Sequence, residues 1–235
     1  MTGNPQNNAR EPLPCAVIFD MDGTLLDTEG PAREAFAAAI VELGMEFVPE
    51  VYDQCVGSSS LSTENILLAT YGDVLDMNRL GERWSYHFKL LEDVQPIEVK
   101  PGIVELLTAL AELNIPMAVA TSNRREVFES ALSKANLIDF FQASVCGGEI
   151  PNAKPAPDPY LEAAVKLGVS PAKAWALEDS DIGTRSAYAA GMRVFQIPCQ
   201  HQPSAAVLSL GHEVMGSANE VLALLREAQR SKETA

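Results

Sequence analysis

Short apolar runs alternate with stretches of helical spacing along most of this 235-residue chain. Runs of three to six residues suit buried strands and are too short for buried helices. Five runs are strand candidates, of which the third is the weakest: Cys15–Phe19, Met117–Ala120, Ser144–Cys146, Trp175–Leu177 and Met192–Ile197. Strands that alternate with helices in this way predict an α/β fold with a Rossmann-like, doubly wound parallel sheet.

Signals for helix starts and ends support the same alternation. Pro101 precedes an apolar-periodic stretch and is expected at the first position of a helix. Asp158 is expected to cap another helix, with Pro159 at its first position and Gly168 after its end. A last helix is predicted over residues 217–228.

Residues 28–97 interrupt the alternation, because they show helical spacing and no convincing strand. The sequence therefore predicts a core domain formed by residues 15–27 and 98–235, and an inserted all-helical cap domain at 28–97. Residues 1–14 are polar and are expected to form a loosely attached tail. Because ligands of parallel sheets bind at the carboxyl ends of the strands, an insert that leaves the chain there is expected to cover the binding site.

Charge and cysteine content exclude several classes of function. The chain has 17 basic against 32 acidic side chains, a formal net charge of −15, which disfavours nucleic acid and anionic membrane surfaces as partners. No apolar run is long enough to span a bilayer. The four cysteines form no C-x-x-C pair, so neither a disulfide framework nor a zinc site is indicated, and a reducing cytoplasmic location is expected.

Two carboxylates follow the first apolar run directly. Asp20 and Asp22 occupy alternate positions before Gly23, so that one can attack a substrate while the other transfers a proton. The segment FDMDGTLLDTE resembles the first motif of the haloacid dehalogenase superfamily, whose members are aspartate-nucleophile phosphohydrolases. An acidic loop that only caps a helix is the alternative interpretation of this motif.

Three further segments resemble motifs of that superfamily, in the family's order. Thr121 resembles the hydroxyl residue that bonds the transferred phosphoryl group, and Ser122 and Asn123 are expected to contribute donors to the substrate. Lys154, within K-P-x-P-x-x-Y, resembles the lysine that holds the nucleophile and the phosphate together. Glu178 and Asp179 resemble the acidic metal motif of the family, and Ser180 or Asp181 is expected to cap the next helix.

The resemblance implies a magnesium site. Its ligands would be the Asp20 carboxylate, the Asp22 backbone carbonyl and Asp179, with Glu178 either a direct ligand or orienting bound water. A hard dication with oxygen ligands offsets the repulsion between these carboxylates and a phosphomonoester dianion. The three histidines are not spaced as ligands of one metal ion, so they do not indicate a transition-metal site: His87, His201 and His212.

The implied activity is Mg²⁺-dependent hydrolysis of a small phosphorylated metabolite, most readily a sugar phosphate. Asp20 would form an aspartyl phosphate, while Asp22 protonates the leaving oxygen and then activates water. Members that are dehalogenases lack an acid at the position of Asp22, so this residue favours phosphate esters. A phosphomutase is the main alternative, followed by a hydrolytic dehalogenase that would release halide without a metal and by a non-catalytic binding protein that retains the fold.

The position of the insert resembles the helical cap of subfamily I, which includes phosphoglycolate phosphatases and β-phosphoglucomutases. In this subfamily the cap selects the substrate. Ser58 stands where many relatives carry an arginine that contacts the substrate, which counts against a bisphosphate or a mutase-type substrate. The expected partner is thus a small phosphorylated metabolite, and the expected state is a monomer or weak homodimer.

Overall fold

A single parallel sheet forms the centre of the molecule in the computed structural model, which describes residues 12–56 and 60–233. Its strand order is β3-β2-β1-β4-β5-β6, and every neighbouring pair is parallel. The strands are β1 (Ala16–Phe19), β2 (Met117–Ala120), β3 (Ala143–Val145), β4 (Ala174–Glu178), β5 (Arg193–Gln196) and β6 (Glu213–Val214). This is the doubly wound order, in which β2 and β3 are added on one side of β1 and β4 to β6 on the other side.

Ten α-helices lie among the described residues. The insert between β1 and β2 contains α1 (Glu29–Glu42), α2 (Pro49–Cys55), α3 (Ser60–Tyr71) and α4 (Met77–Val94). The remaining helices are α5 (Ile103–Glu112), α6 (Arg125–Lys134), α7 (Asp158–Leu167), α8 (Asp181–Ala189), α9 (Ala205–Leu208) and α10 (Ala218–Glu233). The predicted α/β class with an inserted helical unit is confirmed.

Alternate residues of β1 pack into two different cores, as expected for a strand covered on both faces. Val17 and Phe19 lie in a cluster of bulky side chains shared with α5 and α10. Ala16 and Ile18 lie in a cluster built mainly of alanines, shared with α7 and α8. Tyr160 is one of the few large residues of the second cluster and is itself fully buried.

The insert has a third core of its own. Phe36 lies at the centre of this core, with its ring centroid 5.1 Å from that of Tyr52 and 5.3 Å from that of Trp84. The indole N–H of Trp84 also donates to the carbonyl of Ala32 at 2.9 Å, which ties α4 to α1. These helices therefore pack against one another independently of the sheet.

Both connections to the insert run side by side at the carboxyl end of β1. The Asp27 amide donates to the Glu98 carbonyl at 2.8 Å, and the Lys100 amide donates to the Leu25 carbonyl at 2.9 Å. The insert thus leaves and rejoins the core next to the segment that follows β1, where the first pair of carboxylates lies.

Two predicted helix starts are wrong by one or two residues. Pro101 precedes the helix, because Gly102 takes a left-handed φ of +83° and α5 begins at Ile103. Asp158 is the first residue of α7 rather than its cap, and its carboxylate accepts instead from the Asn152 side chain at 2.9 Å.

Two elements near the end of the chain were not predicted. β6 has two residues and lies at the sheet edge, and α9 has a single turn, so neither offers a long enough pattern to recognise. The last helix was predicted but extends further than expected, to Glu233. At the other end, Leu13 packs against the larger core, so at least part of the predicted tail is attached.

Candidate active site

The site begins where β1 and β4 end side by side. The parallel register pairs Phe19 with Leu177, and the Asp20 amide donates to the Leu177 carbonyl at 2.9 Å. Asp20 and Glu178 therefore leave the same edge of the sheet on adjacent strands. Both are buried, with Asp20 8% exposed and Glu178 completely enclosed.

Lys154 joins these two carboxylates. Its Nζ lies 2.6 Å from Asp20 Oδ1 and 2.6 Å from Glu178 Oε1, and its side chain is only 6% exposed. The lysine comes from the loop between β3 and α7, so it reaches the site from a different part of the chain. One ammonium group thus bridges residues 134 and 24 positions away in the sequence.

Glu178 accepts hydrogen bonds on both of its carboxylate oxygens. Oε1 accepts from Lys154 and from the Tyr160 hydroxyl, the latter at 2.9 Å. Oε2 accepts from the Asp179 amide at 3.1 Å and from the amide and hydroxyl of Ser180 at 3.2 and 3.0 Å. Of the two roles that the sequence left open for Glu178, this arrangement favours orienting its neighbours over direct metal ligation.

Two glycines allow the carboxylates to approach the backbone closely. Gly23 has a left-handed φ of +78°, and a Cβ at that position would overlap the Asp179 carboxylate. A Cβ on Gly183, in the first turn of α8, would overlap the Glu178 carboxylate. The Ser180 hydroxyl accepts from the Gly183 amide at 3.1 Å and so caps this helix, as one of the two predicted alternatives expected.

Asp22 lies beside the loop that follows β2. Its Oδ2 accepts from the Asn123 side-chain amide at 2.5 Å, and its carboxylate also bonds Thr28, at the start of α1. Thr121 is buried, 3% exposed, and its hydroxyl accepts from the Asn123 amide at 3.1 Å. The second aspartate is therefore held from both β2 and the insert.

Burial has the largest effect on the pKa values of Asp20 and Asp179. It raises the pKa of Asp20 to about 7, with Lys154 opposing the rise and Glu178 and Asp22 adding to it. Burial also raises the pKa of Asp179, and repulsion from Glu178 and Asp20 adds to that rise. For Lys154, burial lowers the pKa, but Asp20 and Glu178 outweigh it and the pKa is raised. The lysine therefore remains charged within a group of carboxylates that repel one another.

The donor set of this cluster fits a hard divalent cation. Asp20, Glu178 and Asp179 each offer a carboxylate oxygen, and these oxygens lie within 4.8 Å of one another. Three carboxylates with one lysine leave an excess of negative charge, which a dication would offset. Within residues 12–56 and 60–233, this is the one cluster of three or more potential ligands.

The structure brings most of the predicted site residues together. Asp20, Lys154, Glu178 and Asp179 form one cluster, and Asp22, Thr121 and Asn123 form an adjoining hydrogen-bonded group. Ser122 follows Thr121 but is exposed. Ser58 lies outside the described residues.

The histidines lie outside this cluster, as the sequence predicts. His87 hydrogen-bonds Glu42 in the insert, His212 hydrogen-bonds Gln196 at the end of β5, and His201 is exposed.

Tyr160 is the functional candidate to which sequence reasoning gave no role. Its side chain is fully buried, and its hydroxyl donates to Glu178 beside the lysine. The signal was present in the K-P-x-P-x-x-Y spacing, which places Tyr160 six residues after Lys154. A tyrosine at the start of a helix usually serves packing, which is why the pattern alone gave no role.

Comparison with known proteins identifies the family. A family model described as haloacid dehalogenase-like hydrolase matches residues 17–197, a span that contains both carboxylate strand ends and the lysine loop. The chain belongs to the haloacid dehalogenase-like hydrolases. The predicted family is thus confirmed.

Individual relatives of this hydrolase are named as phosphate-ester enzymes. Fructose-1-phosphate phosphatase YqaB from Escherichia coli is 30% identical over 178 residues, covering 75% of this chain and 92% of that protein. β-Phosphoglucomutase from Bacillus subtilis is 31% identical over 183 residues, covering 75% of this chain and 80% of that protein. The hydrolase is therefore similar to both a phosphatase and a mutase.

A solved structure supports the fold over nearly the whole chain. A mutant of CbbY from Rhodobacter sphaeroides in complex with xylulose-(1,5)bisphosphate has a TM-score of 0.77 and 27% identity. The match covers 91% of this chain and 99% of that chain. No helix within the described ranges combines the length and apolar composition needed to cross a membrane.

Proposed function

We propose that this hydrolase is a Mg²⁺-dependent phosphatase of a small phosphorylated metabolite that works through an aspartyl phosphate on Asp20. The observation that carries the proposal is the buried Lys154 ammonium, 2.6 Å from both Asp20 and Glu178 and next to the Asp179 carboxylate. A lysine bonded to a nucleophile candidate at a strand end is suited to holding a phosphoryl group against that nucleophile.

In the first half-reaction Asp20 attacks phosphorus and the ester oxygen leaves. Asp20 Oδ1 is held by Lys154, which leaves Oδ2 as the oxygen that attacks. Asp22 donates a proton to the departing oxygen, which an alcohol leaving group needs. Lys154 and the Thr121 hydroxyl stabilise the charge on the phosphoryl oxygens.

In the second half-reaction Asp22 removes a proton from a water molecule that hydrolyses the aspartyl phosphate. The same carboxylate thus serves as acid and then as base, as microscopic reversibility requires. Asp20, the Asp22 backbone carbonyl and Asp179 would hold the magnesium ion, while Glu178 orients Lys154 and the turn after β4. The ion would supply charge neutralisation between the carboxylates and the phosphoryl oxygens.

Sugar phosphates are the substrate class that we favour. The relatives named for phosphorylated carbohydrates support this class, and they include a phosphorylated carbohydrates phosphatase from Thermotoga maritima at 29% identity. We assign selection of the sugar to the insert, as a cap domain of residues 28–97, because both of its connections lie beside Asp22 and Thr28. A screen of phosphorylated metabolites for free phosphate identifies the substrate.

Asp20→Asn tests the nucleophile. We expect this variant to lose Mg²⁺-dependent phosphate release while keeping its circular dichroism spectrum, because an amide is a very weak nucleophile at this position. Asp27→Asn in the same segment is the matched control, since the Asp27 side chain is 51% exposed, and it should retain activity. Activity of Asp20→Asn equal to wild type would reject the assignment.

A sugar phosphomutase is the second candidate, and the 31% identity to a β-phosphoglucomutase favours it. A mutase would use the same core residues but return the phosphoryl group to the sugar. Product analysis separates the two activities: isomerised sugar phosphate without free phosphate would indicate the mutase, and free phosphate the phosphatase.

A further inference from the structure

The side-chain amide of Asn123 contacts the candidate proton donor directly. Asn123 Nδ2 donates to Asp22 Oδ2 at 2.5 Å, across 101 residues of sequence. The sequence suggested Asn123 as a substrate donor, but this geometry directs one of its two N–H groups at a protein carboxylate. The contact is short and ties Oδ2 to the loop after β2, so it fixes the orientation of Asp22.

The backbone around Asn123 is fixed independently of its side chain. Its amide donates to the Thr121 hydroxyl at 3.1 Å, and its carbonyl accepts from the Gly147 amide at 2.7 Å. The first bond ties the residue to the end of β2, and the second ties it to the loop after β3. Because both use backbone atoms of Asn123, they persist when the side chain is replaced.

A fixed amide donor also distinguishes the two oxygens of Asp22. An amide N–H donates to a lone pair, and the unprotonated oxygen of a carboxylic acid is the better acceptor. With Oδ2 accepting from Asn123, the transferable proton is directed to Oδ1. The amide thereby favours Oδ1 as the oxygen of Asp22 that delivers a proton to the leaving group, while Thr28 also hydrogen-bonds this carboxylate.

We propose that Asn123 is a positioning residue that orients Asp22 for proton transfer to the leaving group. This inference rests on the proposed function, because it requires Asp22 to act as the acid. Asn123 acts through Asp22, so its contribution depends on how much the leaving group needs a proton. The leaving-group dependence separates this role from general support of the fold or of phosphate binding.

The test compares two esters with the Mg²⁺-loaded enzyme. One is p-nitrophenyl phosphate, whose leaving group departs without a proton, and the other is the alkyl monophosphate that wild type hydrolyses fastest. For Asn123→Ala we expect kcat/KM to fall about 10- to 100-fold for the alkyl ester and less than about threefold for the aryl ester. Asn123→Leu, which has a similar size but cannot donate, should show the same bias and guards against a folding defect in the alanine variant.

Asn152→Ala is the matched control. It removes another asparagine amide that donates to an aspartate, here Asp158 at 2.9 Å on the surface, and should affect both esters equally. A double variant then tests whether Asn123 acts through Asp22. In an Asp22→Asn background, Asn123→Ala should cause no further loss with the alkyl ester.

Equal losses on the two esters in both Asn123 variants, or a full further loss in the Asp22→Asn background, would overturn the inference and leave the proposed function intact. A wild-type protein that hydrolyses neither ester would overturn the proposed function, and the inference with it. The two failures are therefore distinguishable within one set of assays.

Discussion

Gly183→Ala sets two structural effects against each other. Gly183 lies in the first turn of α8, where alanine is favoured over glycine by about 1 kcal/mol in the helix. A Cβ there would overlap the Glu178 carboxylate, which is completely buried and held by hydrogen bonds on both oxygens. Helix propensity predicts a more stable protein, whereas the close approach predicts a less stable one.

The magnitudes decide in favour of destabilisation. To make room, Glu178 Oε1 must move away from Lys154 Nζ at 2.6 Å and from the Tyr160 hydroxyl at 2.9 Å. Each hydrogen bond to a charged group contributes about 1.5–3 kcal/mol, so losing both outweighs the helix gain. We expect the free energy of unfolding to fall by about 2–5 kcal/mol.

Urea denaturation followed by circular dichroism measures this change. The control is Gly81→Ala in the interior of α4, where no heavy atom lies within 4 Å of an added Cβ. It should gain up to about 1 kcal/mol. Phosphate release by Gly183→Ala should fall as well, because Glu178 positions Lys154. A Gly183→Ala protein as stable as wild type would refute the assigned contact between this turn and Glu178.

Two more expectations concern the same cluster. Tyr160→Phe removes the hydroxyl that donates to Glu178, and urea denaturation should show a loss of about 1–3 kcal/mol, whereas Tyr188→Phe on the exposed side of α8 should show almost none. In protein stripped of divalent ions with EDTA, burial raises the pKa of Asp20 from 3.8 to about 7. The folded protein therefore holds this proton more tightly than the unfolded chain does. As a result, the contribution of Asp20 to folding stability is fully present below pH 3.8 and is lost as the pH rises through 7. Melting temperatures recorded across this pH range should show the loss of stability, and added Mg²⁺ should reduce the loss. The Asp20→Asn variant should not show it. A pH profile of Asp20→Asn identical to that of wild type would contradict the assignment to Asp20.

The sequence predicted the sheet and most of the cluster because strand ends carry positional information. Apolar runs followed by polar residues locate the carboxyl ends of β1, β2 and β4, and parallel strands bring those ends to one edge. Asp20, Thr121 and Asp179 follow these strand ends, and the resemblance of their motifs assigned them to one site. Lys154 lies in a loop that periodicity does not place, and it was found through the resemblance of its motif.

The remaining features depend on contacts that no local pattern contains. The partner of Asn123 is 101 residues away, and the need for glycine at position 183 arises from the carboxylate of Glu178 on the preceding strand. The predicted starts of α5 and α7 were misplaced because proline and aspartate occur both just before a helix and in its first turn, so Pro101 and Asp158 do not fix the boundary. At α5 the left-handed Gly102 outweighed the local preference, and at α7 the Asp158 side chain hydrogen-bonds Asn152 instead of capping the helix.

The charge of the cluster constrains the order in which ligands bind. Asp20, Glu178 and Asp179 form one cluster with a single lysine, which bonds two of the three carboxylates. A phosphomonoester dianion that approaches this group meets more negative than positive charge, on a protein whose formal net charge is already −15. Two positive charges from a divalent ion would cancel the local excess of negative charge, since ion and lysine together match the three carboxylates. We therefore expect the proposed magnesium ion to bind before the phosphate and to favour its entry, as well as the reaction that follows.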